Sequence, residues 1–149
     1  MLDPYGLGMD DKALRMVWID LEMTGLDIEQ ESIIEIATII TDGDLNILAN
    51  GPNLAINVSE ELINGMDEWN TTHHHSSGLV DRIRNEGVSI ENAELKTLEF
   101  IKQWVEPNTA PLCGNSIWND RKFLEKEMPL VADYLHYIMV DVTSIKEVA

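Results

Sequence analysis

The sequence of 149 residues predicts an α/β domain, a mixed five-stranded sheet flanked by helices. Two patterns carry that expectation. Apolar, β-branched runs joined by tight turns fill the first part of the chain, and amphipathic helical stretches then alternate with short strand-like segments. Tight connections favour antiparallel pairing of the early strands, whereas a helix between later strands favours parallel crossovers. A hydrophobic content of 44% over this length suffices for one compact core. The domain is placed at residues 15–149, behind a loose leader at residues 1–14 in which Pro4, Gly6 and Gly8 act as breakers.

Residues 16–21 are short and mostly apolar and form the first expected strand. Residues 32–41 are Ile-rich, which suits a second strand buried on both faces. After the turn signal Asp42-Gly43-Asp44, a third extended stretch covers residues 45–49 and 54–58, interrupted at Gly51-Pro52. Short helices are expected near residues 59–65 and 78–85, followed by a long one beginning at Ser89. That helix has Ser89 as its N-cap, places Leu95, Leu98, Ile101 and Val105 on one stripe, and stops before Pro107. A fourth strand at residues 110–113, a helix at 116–128, a fifth strand at 137–142 and the opening of a helix at 143–149 complete the reading.

Charge narrows the function classes. Ten Lys and Arg face 27 Asp and Glu, a formal net charge of −17 that repels long polyanionic nucleic acids. Short oligonucleotides carry few phosphates, so oligonucleotides, nucleotides and metal-assisted phosphate chemistry remain open. The single cysteine, Cys113, has no intrachain disulfide partner and fits a reducing, cytoplasmic setting. Residues 1–12 contain Asp3, Asp10 and Asp11 and no continuous apolar stretch, unlike a secretory signal, and no run approaches the length of a membrane span.

The candidate chemistry starts at Asp20 and Glu22. Residues two apart on a strand project from one face, so both carboxylates point the same way at the end of the first strand. Such a pair repels itself unless a proton or a hard cation such as Mg²⁺ or Mn²⁺ intervenes; the alternative is a solvated strand end. Asp120 follows Ile117 by three positions and precedes Leu124 by four, which puts it on the inward stripe of its helix. Compensation of the helix dipole, with Asn115 or Ser116 as cap, accounts for an acid near the N-terminus but not for one on a buried stripe. A third metal-facing carboxylate accounts for both.

The run Trp18-Ile19-Asp20-Leu21-Glu22-Met23-Thr24-Gly25-Leu26-Asp27 is followed by Ile33-Ile34-Glu35-Ile36-Ala37, Met66-Asp67-Glu68-Trp69, Ser77-Gly78-Leu79, Gly114-Asn115-Ser116-Ile117, Asp120-Arg121, His136-Tyr137 and Asp141-Val142. In this order and spacing the blocks resemble the oligoribonucleases, 3'-to-5' exoribonucleases of the DEDDh group with a ribonuclease H-like fold. The resemblance implies degradation of very short RNA oligonucleotides to 5'-mononucleotides by a homodimer. It makes Asp20, Glu22 and Asp120 ligands of two divalent cations, Mg²⁺ or Mn²⁺. It also implies that Leu26 and Trp69 pack against bases, that His74 lies near the substrate, and that Ser116, Thr143 and Ser144 are candidates for closing the 5' end. Tyr137 would belong to the active site, reaching across the dimer. Read without the family, Trp69 is a core staple or a stacking platform, Tyr137 a buried strand aromatic, and His73-His74-His75 a solvated loop that picks up transition metals incidentally.

Three departures from the family pattern stand out. Ile138 occupies the place of an arginine, removing a bidentate phosphate clamp unless Arg121 or Lys122 substitutes. Trp118 replaces a smaller residue. The family's last motif, a His followed five residues later by Asp, lies beyond Ala149, as do the last helices of the fold. His136 and Asp141 have that spacing but align with the preceding strand. The expectation for residues 1–149 is therefore impaired nuclease activity, since losing a general base lowers rates by about 10²–10⁴-fold. The competing classes are a noncatalytic oligonucleotide-binding or dimerisation module and a proofreading-type DNA exonuclease.

Overall fold

A computed structural model describes residues 14–143. The leader expected at residues 1–14 therefore lies outside the described residues apart from Leu14, as do Ser144 and the rest of the helix expected at residues 143–149. Five strands form one sheet: β1 (Met16–Met23), β2 (Ile33–Thr41), β3 (Ile47–Ala55), β4 (Pro111–Gly114) and β5 (His136–Asp141), in the order β3-β2-β1-β4-β5. Pairing of β1 with β2 and of β2 with β3 is antiparallel; β4 runs parallel to both β1 and β5. The helices are α1 (Glu60–Asn64), α2 (Glu68–Ser76), α3 (Leu79–Glu86), α4 (Ile90–Lys102), α5 (Ile117–Glu127) and α6 (Pro129–Tyr134). The mixed sheet expected from the sequence is present.

Two apolar clusters hold the layers together. The larger joins Val17, Ile19 and Leu21 of β1 and Ile36 and Ile40 of β2 to Leu98 and Ile101 of α4, Phe123 and Leu124 of α5, and Val131 of α6. The smaller packs Ile34 and Ala55 against Ile63, Leu79, Val80 and Ile83 of the early helices. The β1–β2 register explains how neighbouring isoleucines serve both. Glu22 pairs with Glu35 but Met23 pairs with Ile33, so Ile34 is the extra residue of a bulge and turns into the second cluster.

Several expectations are corrected. Gly51-Pro52 breaks the ladder without ending the third strand: the β2–β3 register shifts between Ala37 and Ile39, opposite this pair, which an edge strand tolerates. Gly51 instead admits a helix: a Cβ there would sit 2.5 Å from the Phe100 ring and 2.7 Å from the Thr38 carbonyl oxygen. Leu45 belongs to the preceding turn, with φ of 69°. On α4 the buried residues are Ala93, Thr97, Leu98 and Ile101, whereas Leu95 is 55% exposed, because the α4 stripe turns toward α6 and the sheet rather than along Leu95. The helix at residues 116–128 ends at Glu127, and Pro129 starts α6, a favourable first-turn position for proline.

The close approach at Gly51 yields a stability test. Gly51→Ala drives a methyl into Phe100 and the Thr38 carbonyl, so urea denaturation is expected to show a loss of about 1–3 kcal/mol, the usual range for overpacking.

Candidate active site

Parallel pairing between β1 and β4 spans only Val17 with Leu112 and Trp18 with Cys113. Beyond Cys113 the two strands part, and the β1 backbone loses its neighbour on that side. This is the place where strand order reverses between β1 and β4, the position at which open α/β sheets form crevices at the carboxyl ends of their strands. Gly114 permits the tight exit: a Cβ there would lie 3.0 Å from the Ile19 carbonyl oxygen and 2.8 Å from the Ile117 side chain. The chain turns through Ser116, with φ of 47° and ψ of 41°, into α5.

Asp120, one turn into α5, occupies the gap. Its Oδ2 accepts a hydrogen bond from the Leu21 backbone N–H at 3.3 Å, and the residue is only 8% exposed. The inward stripe is thus confirmed, with Ile117 and Leu124 buried beside it. Because Val17, Ile19 and Leu21 point into the main cluster, Asp20 and Glu22 share the opposite side of β1 and flank the Leu21 N–H that Asp120 reads. Burial pushes the Asp120 carboxyl up to about 7; the Leu21 hydrogen bond opposes that rise, and the charges of Asp20 and Glu22 add to it. Asp20 keeps an exposed side, so its rise is the more modest one, from partial burial and then from the charge of Glu35. Glu22 is raised chiefly by burial, with His74 and His73 acting against that shift and Asp20 and Glu35 with it. Three oxygen-donor side chains whose ionisation is opposed lie within one another's electrostatic reach, and oxygen donors of this kind suit a hard divalent cation.

The sequence reading assigned no role to Glu35. It pairs with Glu22 across the β1–β2 ladder and forms an ion pair with Arg82 of α3, whose guanidinium also donates to Asn53 at 3.2 Å. An acid embedded in an isoleucine run was the available signal.

The residues expected near substrate fall into two groups. Leu26 is 79% exposed on a loop tied at its base: Thr24 N–H donates to Ser32 O at 3.0 Å, Ser32 N–H donates to Thr24 Oγ1 at 3.0 Å, and the Thr24 hydroxyl donates to Glu31. The end of α5 braces the same loop, with Glu127 accepting from Ile33 N–H at 2.9 Å and Lys126 donating to Ile28 O. Trp69 is 67% exposed, which removes the core-staple alternative, and its ring stacks on His73 at 4.7 Å. The His73-His74-His75 run is helical rather than a solvated loop, since Asp67 caps α2 by accepting from Asn70 N–H. His74 is buried, with Nε2 2.9 Å from the Met23 carbonyl oxygen.

The second group gathers at the start of α5. Ser116 N–H donates to Asp141 Oδ1 and to Thr143 Oγ1, both at 3.0 Å, while Asn115 accepts from the Thr143 hydroxyl. Neither Asn115 nor Ser116 caps the helix through its side chain, because the left-handed backbone at Ser116 turns its N–H outward to β5. Asp141 also accepts from Thr143 N–H at 2.9 Å, which places it in this turn. Tyr137 is 78% exposed on edge strand β5, so it is not a buried strand aromatic in the single chain. Arg121 is engaged by Glu125 and by the Ala132 and His136 carbonyl oxygens, which withdraws it as a substitute phosphate clamp. Lys122 lies 4.6 Å over the Trp118 ring.

Comparison with known proteins adds three findings. The Exonuclease family model RNase_T matches residues 17–149. Oligoribonucleases of Acinetobacter baylyi, Alcanivorax borkumensis and Pseudomonas aeruginosa are 54%, 52% and 54% identical over 135, 141 and 134 residues, covering 91%, 95% and 90% of this chain and 74%, 78% and 74% of theirs. Among solved structures, Escherichia coli exonuclease I bound to a dT13 oligonucleotide superposes with a TM-score of 0.67 at 11% identity, over 91% of this chain and 29% of that one. The RNase domain of yeast Pop2 superposes with a TM-score of 0.66 at 13% identity, over 89% of this chain and 61% of that one. These structural likenesses establish the ribonuclease H-like exonuclease fold. Among the described residues, no helix is long and apolar enough to cross a membrane.

The raised Asp120 carboxyl gives a pH-dependent prediction. Its folded value of about 7 exceeds the ordinary 3.8, so the folded state keeps a proton that the unfolded chain releases, and this group's contribution to stability falls as pH rises from about 4 through 7. Asp120→Asn is therefore expected to raise Tm at pH 8 in EDTA, by on the order of 3 °C for about 1 kcal/mol. Calorimetric melts should show that gain shrinking at pH 5.5, while Mn²⁺ stabilises the wild type and not the variant.

Proposed function

Because the chain belongs to the RNase_T exonuclease family and, within it, to the oligoribonucleases, we propose that its crevice removes nucleotides from the 3' end of very short RNA, releasing 5'-mononucleotides. The observation that carries the site assignment is Asp120 buried against the Leu21 N–H between Asp20 and Glu22. A loop or cap role leaves a carboxylate hydrated; this one gains from a cation. Asp20, Glu22 and Asp120 are the ligands for two divalent cations, Mg²⁺ or Mn²⁺. When bound, such a pair acidifies water and neutralises charge building on the leaving oxygen.

The chain's own residues do the rest. Leu26 and Trp69 present exposed apolar surface for base faces, a contact that tolerates any sequence. His74, held on the Met23 carbonyl, flanks Glu22 next to the substrate. Ser116 and Thr143, with Ser144, close the 5' end. The joining of Ser116 and Thr143 to each other, to Asn115 and to Asp141 supports this, because hydroxyls fixed in place favour a short occupant over a long polyanion. The exposed Tyr137, Ile138 and Met139 along edge strand β5 support a homodimer in which Tyr137 reaches the other subunit's site. Buried, unpaired Cys113, whose thiol burial pushes up to about 12, fits a reducing cytoplasm.

Two kinetic outcomes test the reading on a 5'-labelled RNA dinucleotide with Mg²⁺ or Mn²⁺. Asp20→Asn should reduce whatever turnover the chain shows more than about 100-fold, beyond what losing a residue one shell away from a metal does. Trp69→Ala should raise KM by roughly 5- to 150-fold, the equivalent of about 1–3 kcal/mol of stacking, with Trp69→Phe restoring most of it. Equal rates on the DNA dinucleotide would support a proofreading-type enzyme instead. Metal-dependent binding without cleavage would support the noncatalytic module.

A further inference from the structure

A second donor set adjoins the carboxylate crevice. Ligand atoms of Glu22, His73 and His74 all lie within 4.8 Å of one another. Neighbouring residues on a helix diverge by about 100° around its axis, yet here both histidines reach one carboxylate from a facing strand. That strand is β1. Glu22 faces α2, and the influence of both histidines on its carboxyl follows from their proximity.

His74 contributes the independent observation. Its Nε2 lies 2.9 Å from the Met23 carbonyl oxygen, an acceptor, which assigns the ring proton to Nε2. Nδ1 is then a lone pair, and it is buried with no hydrogen-bond partner. A histidine that donates one ring N–H to a backbone carbonyl and offers the other nitrogen bare is arranged as metal-ligating histidines are. His73 is exposed but not free to wander, since its ring stacks on Trp69 with an interplanar angle of 17°.

We propose that Glu22, His73 and His74 form a binding site for a borderline transition-metal ion of the Zn²⁺ class, which competes with the hard cations of the crevice for Glu22. Two imidazoles and one carboxylate suit Zn²⁺ rather than Mg²⁺, which takes oxygen donors. Tetrahedral coordination at 2.0–2.1 Å needs donor atoms about 3.3 Å apart, a contraction that the exposed His73 and half-buried Glu22 can make by small side-chain rotations. His74 and the Met23 carbonyl stay in place. The site works as a brake: an ion seated there draws Glu22 away from Asp20 and Asp120. This competition rests on the carboxylate reading given above; the zinc site itself does not.

Calorimetric titration of Zn²⁺ into EDTA-treated, desalted protein tests both parts. The wild type should bind one ion, His73→Ala should weaken binding at least about 10-fold, and His75→Ala, which changes the exposed neighbour, should leave it within about twofold. Equal affinity in wild type and His73→Ala, or an equal loss in His75→Ala, overturns the site. Saturating Mg²⁺ should weaken Zn²⁺ binding in the wild type; unchanged affinity overturns the sharing of Glu22. Asp120→Asn separates the two readings, because it should keep full Zn²⁺ affinity while losing the sensitivity to Mg²⁺. If Mg²⁺ fails to bind even the wild type, the carboxylate reading falls while His73-dependent Zn²⁺ binding still stands.

Discussion

A single hydrogen bond, from the Leu21 N–H to Asp120, organises the molecule around its crevice. An unpaired backbone donor at a strand end and an unpaired carboxylate in a helix are each costly in a protein interior. Bringing them together satisfies the donor but leaves the carboxylate within the field of two more acids, Asp20 and Glu22. The pairing therefore resolves a backbone problem and creates an electrostatic one, and the second is what makes the place fit for cations. It exists because β4 follows β1 for only two residue pairs before Gly114 lets it turn away.

Much of the surrounding structure can be read as holding that geometry. Arg121, one residue beyond the key acid, ties α5 to the end of α6 and the start of β5, so the helix bearing Asp120 cannot roll without breaking contacts on its far side. Glu127 and Lys126, at the other end of α5, grip the loop that presents Leu26. One helix thus sets both the buried Asp120 carboxyl and the loop that carries Leu26. The bulge that turns Ile34 into the second cluster lies opposite Glu22 and Met23, which links packing of the early helices to the carboxylate and carbonyl lining the crevice.

Glu22 is the point where two chemistries meet. On one side stand the oxygen donors Asp20 and Asp120; on the other stand two imidazoles, one of them buried with an unsatisfied nitrogen. Hard and borderline cations prefer different donors, so a shared carboxylate makes the choice of metal a property of the whole crevice. The acidity of the chain, −17 overall, keeps cations concentrated near this surface and disfavours long nucleic acids, in agreement with a short substrate.

Periodicity and local chemistry made a large part of this legible in the sequence. The strand period placed Asp20 and Glu22 on one face, the helical period placed Asp120 on the buried stripe, and Ser89 marked the start of α4, because each of these depends on neighbours within a few positions. The block order also pointed to the oligoribonucleases. Other features were decided only when distant segments met. Gly51-Pro52 reads as an interruption of the strand until β3 is seen to be an edge strand beneath Phe100, and three histidines read as a solvated loop until Asp67 caps α2 and the Met23 carbonyl claims His74. Glu35 gains meaning only from Arg82 and from its register with Glu22. Local pattern was enough to say which way Asp20, Glu22 and Asp120 face along their own elements. Which of them share a site was left to the sheet order and the splay of β1 from β4, since proximity between residues about a hundred positions apart, as with Leu21 and Asp120, is a property of packing and not of any local pattern.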